Sequence, residues 1–252
     1  MVTLANILDG HRPEKTSIIV PDGPTVSYGE FGDEVERVAG ILAAYGLERG
    51  RAVSIVLGNG LDFMVIFLAV TRSGAIAAPL NAAYTAEEFK FYMEDADAQL
   101  VIVSKEADAA VTAAANLSVP CAVAELDGRG RVTITKNGSE LTKGVDVIPP
   151  SPNDIALFLH TSGTTSRPKG VPLTHANLMA SLGNIVSTYE LSEEDTALVV
   201  MPLFHVHGLI GVSLSSLRSG GAIVVPSRFS ASTFWQDQSD TGATWYSAVP
   251  TI

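Results

Sequence analysis

The stretch I-A-L-F-L-H-T-S-G-T-T-S-R-P-K-G, from Ile155 to Gly170, decides how the fold is read. Ile155-Ala156-Leu157-Phe158-Leu159 is a short apolar run of the kind that forms a buried strand of a parallel sheet. The glycine-and-hydroxyl loop after it therefore begins at a strand end. Gly163 can take backbone angles closed to other residues, so successive N–H groups can be aimed at one anion. Thr161, Ser162, Thr164, Thr165 and Ser166 each add a rotatable hydroxyl donor. Lys169 supplies a point charge and Arg167 a planar fork, with Pro168 stiffening the chain between them. Hydrogen bonds to a charged group are worth about 1.5–3 kcal/mol each, so three or four can hold a polyphosphate where one cannot. This is not a Walker A loop, which would need glycine at Pro168 and a hydroxyl residue at Gly170. Composition alone also allows a plain Ser/Thr-rich surface turn. The strand before the loop and the helix expected after it favour a phosphate-binding loop.

Working outward, strand-like and helix-like segments alternate, which predicts an α/β fold with largely parallel sheets. A helix is expected from Ser27 to Tyr45, because Phe31, Val35, Val38, Leu42 and Tyr45 recur at helical spacing. Strands are expected at 53–57, 76–80 and 100–103, with helices at 61–71 and 86–94 between them. A β-branched alternation at 131–135 suggests a hairpin with the strand around Cys121. Pro149, Pro150 and Pro152 cannot continue a helix or a central strand, so a boundary is expected there, dividing the chain into residues 1–150 and 151–252. Beyond it, Thr174 is the expected N-cap of a helix with Leu178, Leu182, Ile185, Val186 and Tyr189 on one face. Strand, helix, strand, helix and strand then follow at 197–201, 206–217, 222–225, 231–238 and 243–248.

The 252 residues are 46% hydrophobic and carry a formal charge of −11, enough apolar content for a sizeable core and the wrong sign for nucleic acid or an anionic membrane. Any anion must be held by a local cluster of cations. The single cysteine, Cys121, cannot form an intramolecular disulfide and fits a reducing compartment; its apolar setting reads as a packed thiol. Neither a signal peptide in Met1–Lys15 nor an apolar run of about 18 residues is expected.

A second candidate feature is the pair His205 and His207 in Pro202-Leu203-Phe204-His205-Val206-His207-Gly208. No Cys/His/Asp cluster accompanies the pair, so no metal site is expected. Both can be hydrogen-bonded core histidines, or can face a cleft at a strand-to-helix junction. Arg218 and Arg228 are weaker candidates for binding a charged substrate.

The loop resembles the signature T-S-G-T-T-G-x-P-K-G of the acyl-adenylate-forming superfamily, with Ser166 in place of the usual glycine. Together with Phe158-Leu159-His160, Val171-Pro172-Leu173-Thr174-His175, the run Val200 to Leu209, Phe234-Trp235 and Thr244-Trp245-Tyr246, it is similar to the oxalate–CoA ligase branch, especially its fungal peroxisomal members. The resemblance weakens between Glu106 and Pro150. It implies two stacked βα subdomains and an AMP-forming acid–CoA ligase that uses ATP, Mg2+ and coenzyme A, with oxalate as the favoured acid. It implies ATP phosphates on Thr161, Ser162, Gly163, Thr164, Thr165, Ser166 and Lys169, catalytic roles for Lys169 and His205, and a substrate pocket at His205 and His207. Cytoplasm or peroxisome is the implied compartment. The family's magnesium-binding glutamate, ribose-binding aspartate and C-terminal lid match positions beyond Ile252, so this half is expected to be incomplete alone. A non-catalytic nucleotide-binding module, or a ligase for a medium-chain, long-chain or aromatic acid, are the other readings.

Overall fold

Residues 2–161 and 168–250 are described in a computed structural model. The chain opens with a short 3-10 turn, Leu4–Asn6, and a hairpin of β1 (Thr16–Ile19) and β2 (Thr25–Ser27). Ser27 then caps α1 (Tyr28–Ala44): its hydroxyl accepts from the Glu30 amide while the Glu30 carboxylate accepts from the Ser27 amide at 2.8 Å. Phe31, Val35, Val38 and Leu42 form the buried face of this helix. Three βα steps and a closing strand follow: β3 (Ala52–Val56), α2 (Leu61–Arg72), β4 (Ile76–Pro79), α3 (Ala86–Asp95), β5 (Ala98–Val103), α4 (Asp108–Leu117) and β6 (Cys121–Leu126). Helix α2 is apolar on all sides and buries every residue from Phe63 to Thr71, which fixes it as the central helix.

The antiparallel partners β7 (Val132–Lys136) and β8 (Ser139–Glu140) complete that edge, including the expected hairpin with β6. After the proline-rich stretch come β9 (Ile155–Thr161), β10 (Lys169–Thr174), α5 (His175–Tyr189) and β11 (Thr196–Leu198). The chain continues with a π-helical segment at His207–Leu214, α6 (Ser215–Ser219), β12 (Ala222–Val224), α7 (Phe234–Thr241) and β13 (Trp245–Tyr246). Eight strands form one sheet in the order β10-β9-β4-β3-β5-β6-β7-β8, and five form another in the order β13-β11-β12-β1-β2. Central strands of both sheets are parallel, and the antiparallel pairings lie toward the edges, as the alternating pattern predicts.

Three expectations need correction. No helix follows the phosphate loop directly: Lys169–Thr174 is a strand paired antiparallel with β9, and the helix begins only at His175. Pro172 is tolerated because β10 is an edge strand. The division at residue 150 is not a division between sheets, since β1 and β2 join the five-stranded sheet while β9 and β10 join the eight-stranded one. Rather than acting as a free linker, the proline stretch is strapped down. Arg49 donates to Ile148 O at 3.0 Å and pairs with Asp154 at 2.7 Å, and the Val145 amide donates to Gly40 O. One buried cluster runs from Ile18 and Ile223 of the small sheet through α1 and α2 to Val53 and Ile55 of the large one. Third, the helix expected at 206–217 is π-helical over most of its length. The Ser213 hydroxyl donates to Gly208 O at 2.8 Å, five residues back, and competes with regular backbone bonding.

Candidate active site

Strand β9 ends at Thr161, and Lys169 is its partner across the first pair of the hairpin. Both residues are exposed. Ser162, Gly163, Thr164, Thr165, Ser166 and Arg167 lie outside the described residues. The hairpin stem is anchored from the side. His160 is nearly buried, with Nε2 2.9 Å from Asp95 Oδ2 at the end of α3 and its ring edge-on to Tyr92 and Phe158. Opposite it stands Gly170, where an added Cβ would come within 2.3 Å of the Phe158 ring. The small residue lets that ring cover the stem.

At the base of the hairpin, Thr174 caps α5 as expected, accepting from the Asn177 amide at 3.1 Å. Next to it His175 is fully buried, and its Nδ1 accepts from the Leu4 amide at 3.2 Å. Burial holds its pKa down at about 4, because the charged imidazolium would lose its hydration.

The histidine pair belongs to the other sheet. After β11 the chain crosses Met201-Pro202-Leu203 and turns, with the His205 amide donating to Pro202 O at 3.1 Å. Gly208 makes the turn possible, since a Cβ there would lie 2.5 Å from Pro202 O. The His205 ring is exposed but rests on Phe204, 4.3 Å between centroids, and partial burial lowers its pKa from the ordinary value. His207 is half-buried, its Nε2 2.8 Å from Ser247 Oγ. Among the described residues no hydrogen bond joins Thr161 or Lys169 to His205 or His207.

Between the strand ends of the two sheets lies a cleft of about 250 Å³ whose walls include Asn59, Asn81, Pro202, Phe204 and Arg228. Arg228 is exposed in the loop after β12; Arg218 lies in the last turn of α6. Asn59, in the turn after β3, is a residue the sequence reading missed. Its side chain donates to Met201 O at 3.2 Å and accepts from the Leu203 amide at 2.8 Å. Only its position, an amide side chain between Gly58 and Gly60 directly after a strand, could have singled it out. Among the described residues no group of three or more His, Cys, Asp or Glu side chains is gathered to hold a metal ion, and no helix is long and apolar enough to cross a membrane.

The chain matches the family of AMP-binding enzymes over residues 9–252, and belongs to it. Among curated proteins it is 45% identical to the probable CoA ligase CCL9 of Humulus lupulus, covering 100% of this chain and 50% of that protein. It is also 45% identical to the oxalate–CoA ligase of Arabidopsis thaliana, over 99% of this chain and 50% of that protein. The oxalate–CoA ligase of Saccharomyces cerevisiae is 36% identical. Of solved structures, ATP-bound MatB from Rhodopseudomonas palustris superposes with a TM-score of 0.84 at 27% identity, over 99% of this chain and 49% of that one. The chain thus spans about half the length of the relatives it matches.

Proposed function

We propose that this chain carries the phosphate-binding and acyl-binding part of an AMP-forming acid–CoA ligase, with oxalate as its acid. The observation that supports it best is the T-S-G-T-T-S-R-P-K-G sequence, whose ends Thr161 and Lys169 pair between β9 and β10, in a chain 45% identical to an oxalate–CoA ligase. In this reading a carboxylate oxygen attacks the α-phosphorus of ATP and pyrophosphate leaves. The coenzyme A thiolate then attacks the acyl carbon of the adenylate, and AMP leaves with the bonding electrons. Lys169 and the hydroxyls of Thr161, Ser162, Thr164, Thr165 and Ser166, with the Gly163 amide, hold the β- and γ-phosphates. Their contribution grows as charge moves onto the leaving pyrophosphate. Magnesium would enter on the nucleotide, since among the described residues no carboxylate cluster is gathered to hold it.

His205 borders the carboxylate that reacts. A second carboxylate needs donors where other acids carry an apolar tail, and His207, held by Ser247, stands two residues away to supply one. The cytoplasm or the peroxisome is the compartment this reading favours, and ATP and coenzyme A as co-substrates are compatible with either. The test is ATP–pyrophosphate exchange by the full-length protein with oxalate, malonate, a fatty acid and an aromatic acid. Exchange strongest with oxalate is the expected result. Exchange with the fatty or aromatic acid but not with oxalate would assign another substrate, and ATP binding without exchange for any acid would make the protein a nucleotide-binding module.

A further inference from the structure

The turn that presents His205 has no sheet to hold it. Strand β11 ends at Leu198, and the last ladder bond beyond it runs from the Val199 amide to Val224 O. From there the chain must cross Met201-Pro202-Leu203 with backbone groups still to satisfy, although Met201 and Leu203 are buried. Pro202 cannot donate. Asn59 fills the place of a neighbouring strand: its carboxamide accepts from the Leu203 amide at 2.8 Å and donates to Met201 O at 3.2 Å, clasping the backbone on both sides of Pro202. Gly208 also closes on Pro202 O and Met201 O, 2.5 and 2.8 Å from where its Cβ would be. The turn is thus held by one amide and one missing side chain. Because Asn59 follows β3 of the large sheet and the turn follows β11 of the small one, the clasp also registers one wall of the cleft against the other.

We propose that Asn59 is the positioning residue that sets the Met201–His205 turn, and so the placement of the His205 imidazole, by pairing its carboxamide with the backbone of the opposite sheet. The proposal rests on the reading of His205 as bordering the reacting carboxylate. A carboxamide is the group the geometry requires, since it presents a donor and an acceptor side by side on one carbon. Aspartate keeps the shape and the acceptor but loses the donor; alanine loses both.

The experiment uses the full-length protein with Asn59→Ala, Asn59→Asp, His205→Ala and the double variant Asn59→Ala/His205→Ala. Each is assayed for kcat and for KM of acid and of ATP, with the His205 imidazole titration followed by NMR. Misplacing a reactive group by about 1 Å can cost on the order of 100-fold. The expected result is a fall of about 10- to 100-fold in kcat/KM for the acid in Asn59→Ala and a smaller fall in Asn59→Asp. The KM for ATP should stay within about twofold, the His205 titration should move toward that of free histidine, and the double variant should be no worse than His205→Ala. If Asn59→Ala does not fold, the isosteric Asn59→Asp decides by the same readouts. A lowered melting temperature with unchanged acid kinetics, or losses in the double variant that multiply, would overturn the positioning role while leaving His205 in place. His205→Ala with unchanged acid kinetics would remove the site reading, and this proposal with it.

Discussion

The two halves of the candidate site are built in opposite ways. The phosphate-loop hairpin is assembled from neighbours in sequence, with β9 and β10 pairing across seven intervening residues at Lys169↔Thr161, while β9 joins the sheet beside β4 and His160 reaches Asp95. The His205 turn is assembled from residues far apart: Asn59 reaches 142 and 144 positions along the chain to Met201 and Leu203. A contiguous motif tolerates change elsewhere in the protein, whereas a turn clasped from a distance depends on the packing of both sheets.

That contrast can be tested from its strongest consequence downward. Lys169→Ala should lower the rate of ATP–pyrophosphate exchange by about 100- to 1,000-fold, the scale seen when one preorganised electrostatic contact is removed. The melting temperature should hardly change, because Lys169 is exposed. A large drop in stability with little loss of rate would reverse the roles given to the two halves.

His175 offers a long-range anchor that can be read by pH. Its pKa is pushed down to about 4 in the folded chain, so between about pH 4 and 6.5 the unfolded state binds the extra proton. Stability should therefore be full above pH 6.5 and decline as the pH falls toward 4, by up to about 3 kcal/mol. Chemical denaturation across that range checks this, and His175→Gln should flatten the slope; an unchanged slope would mean that other groups carry it.

Gly208→Ala should destabilise by about 1–3 kcal/mol, as overpacking does, because the new methyl group meets Pro202 O. The same variant should weaken the acid kinetics more than the ATP kinetics, and thermal melting with steady-state assays would separate the two effects. The smallest change is expected at a local contact. Thr174→Ala removes the cap of α5 and should cost about 1 kcal/mol, with exchange kinetics near those of the parent protein.

Legibility in the sequence follows the same divide. Helix α1 was expected at 27–45 and spans Tyr28–Ala44, because its apolar face and its capping box are both local signals. The β6–β7 hairpin and the cap at Thr174 were legible for the same reason. Strand β10 was not, since Gly170 and Pro172 read as breakers unless one knows that the strand lies on an edge. Nor was the pairing of β1 with β12, which no local pattern encodes. Prolines 149, 150 and 152 signalled a break in regular structure correctly, but a break in regular structure need not separate folding units. At the site, the hydroxyl loop and the histidines announce themselves by residue type. Gly208 was legible as a turn residue beside Pro202, whereas Asn59 acts through what it touches, and residue type alone does not single it out.

The pairing of Ile18 with Ile223 also bears on how the protein is made. The first hairpin leaves the ribosome with an apolar edge whose parallel neighbour is encoded about 200 residues later. At 5–20 residues per second that partner takes roughly 10–40 s to emerge. During synthesis the large sheet can form while the small one waits for β12.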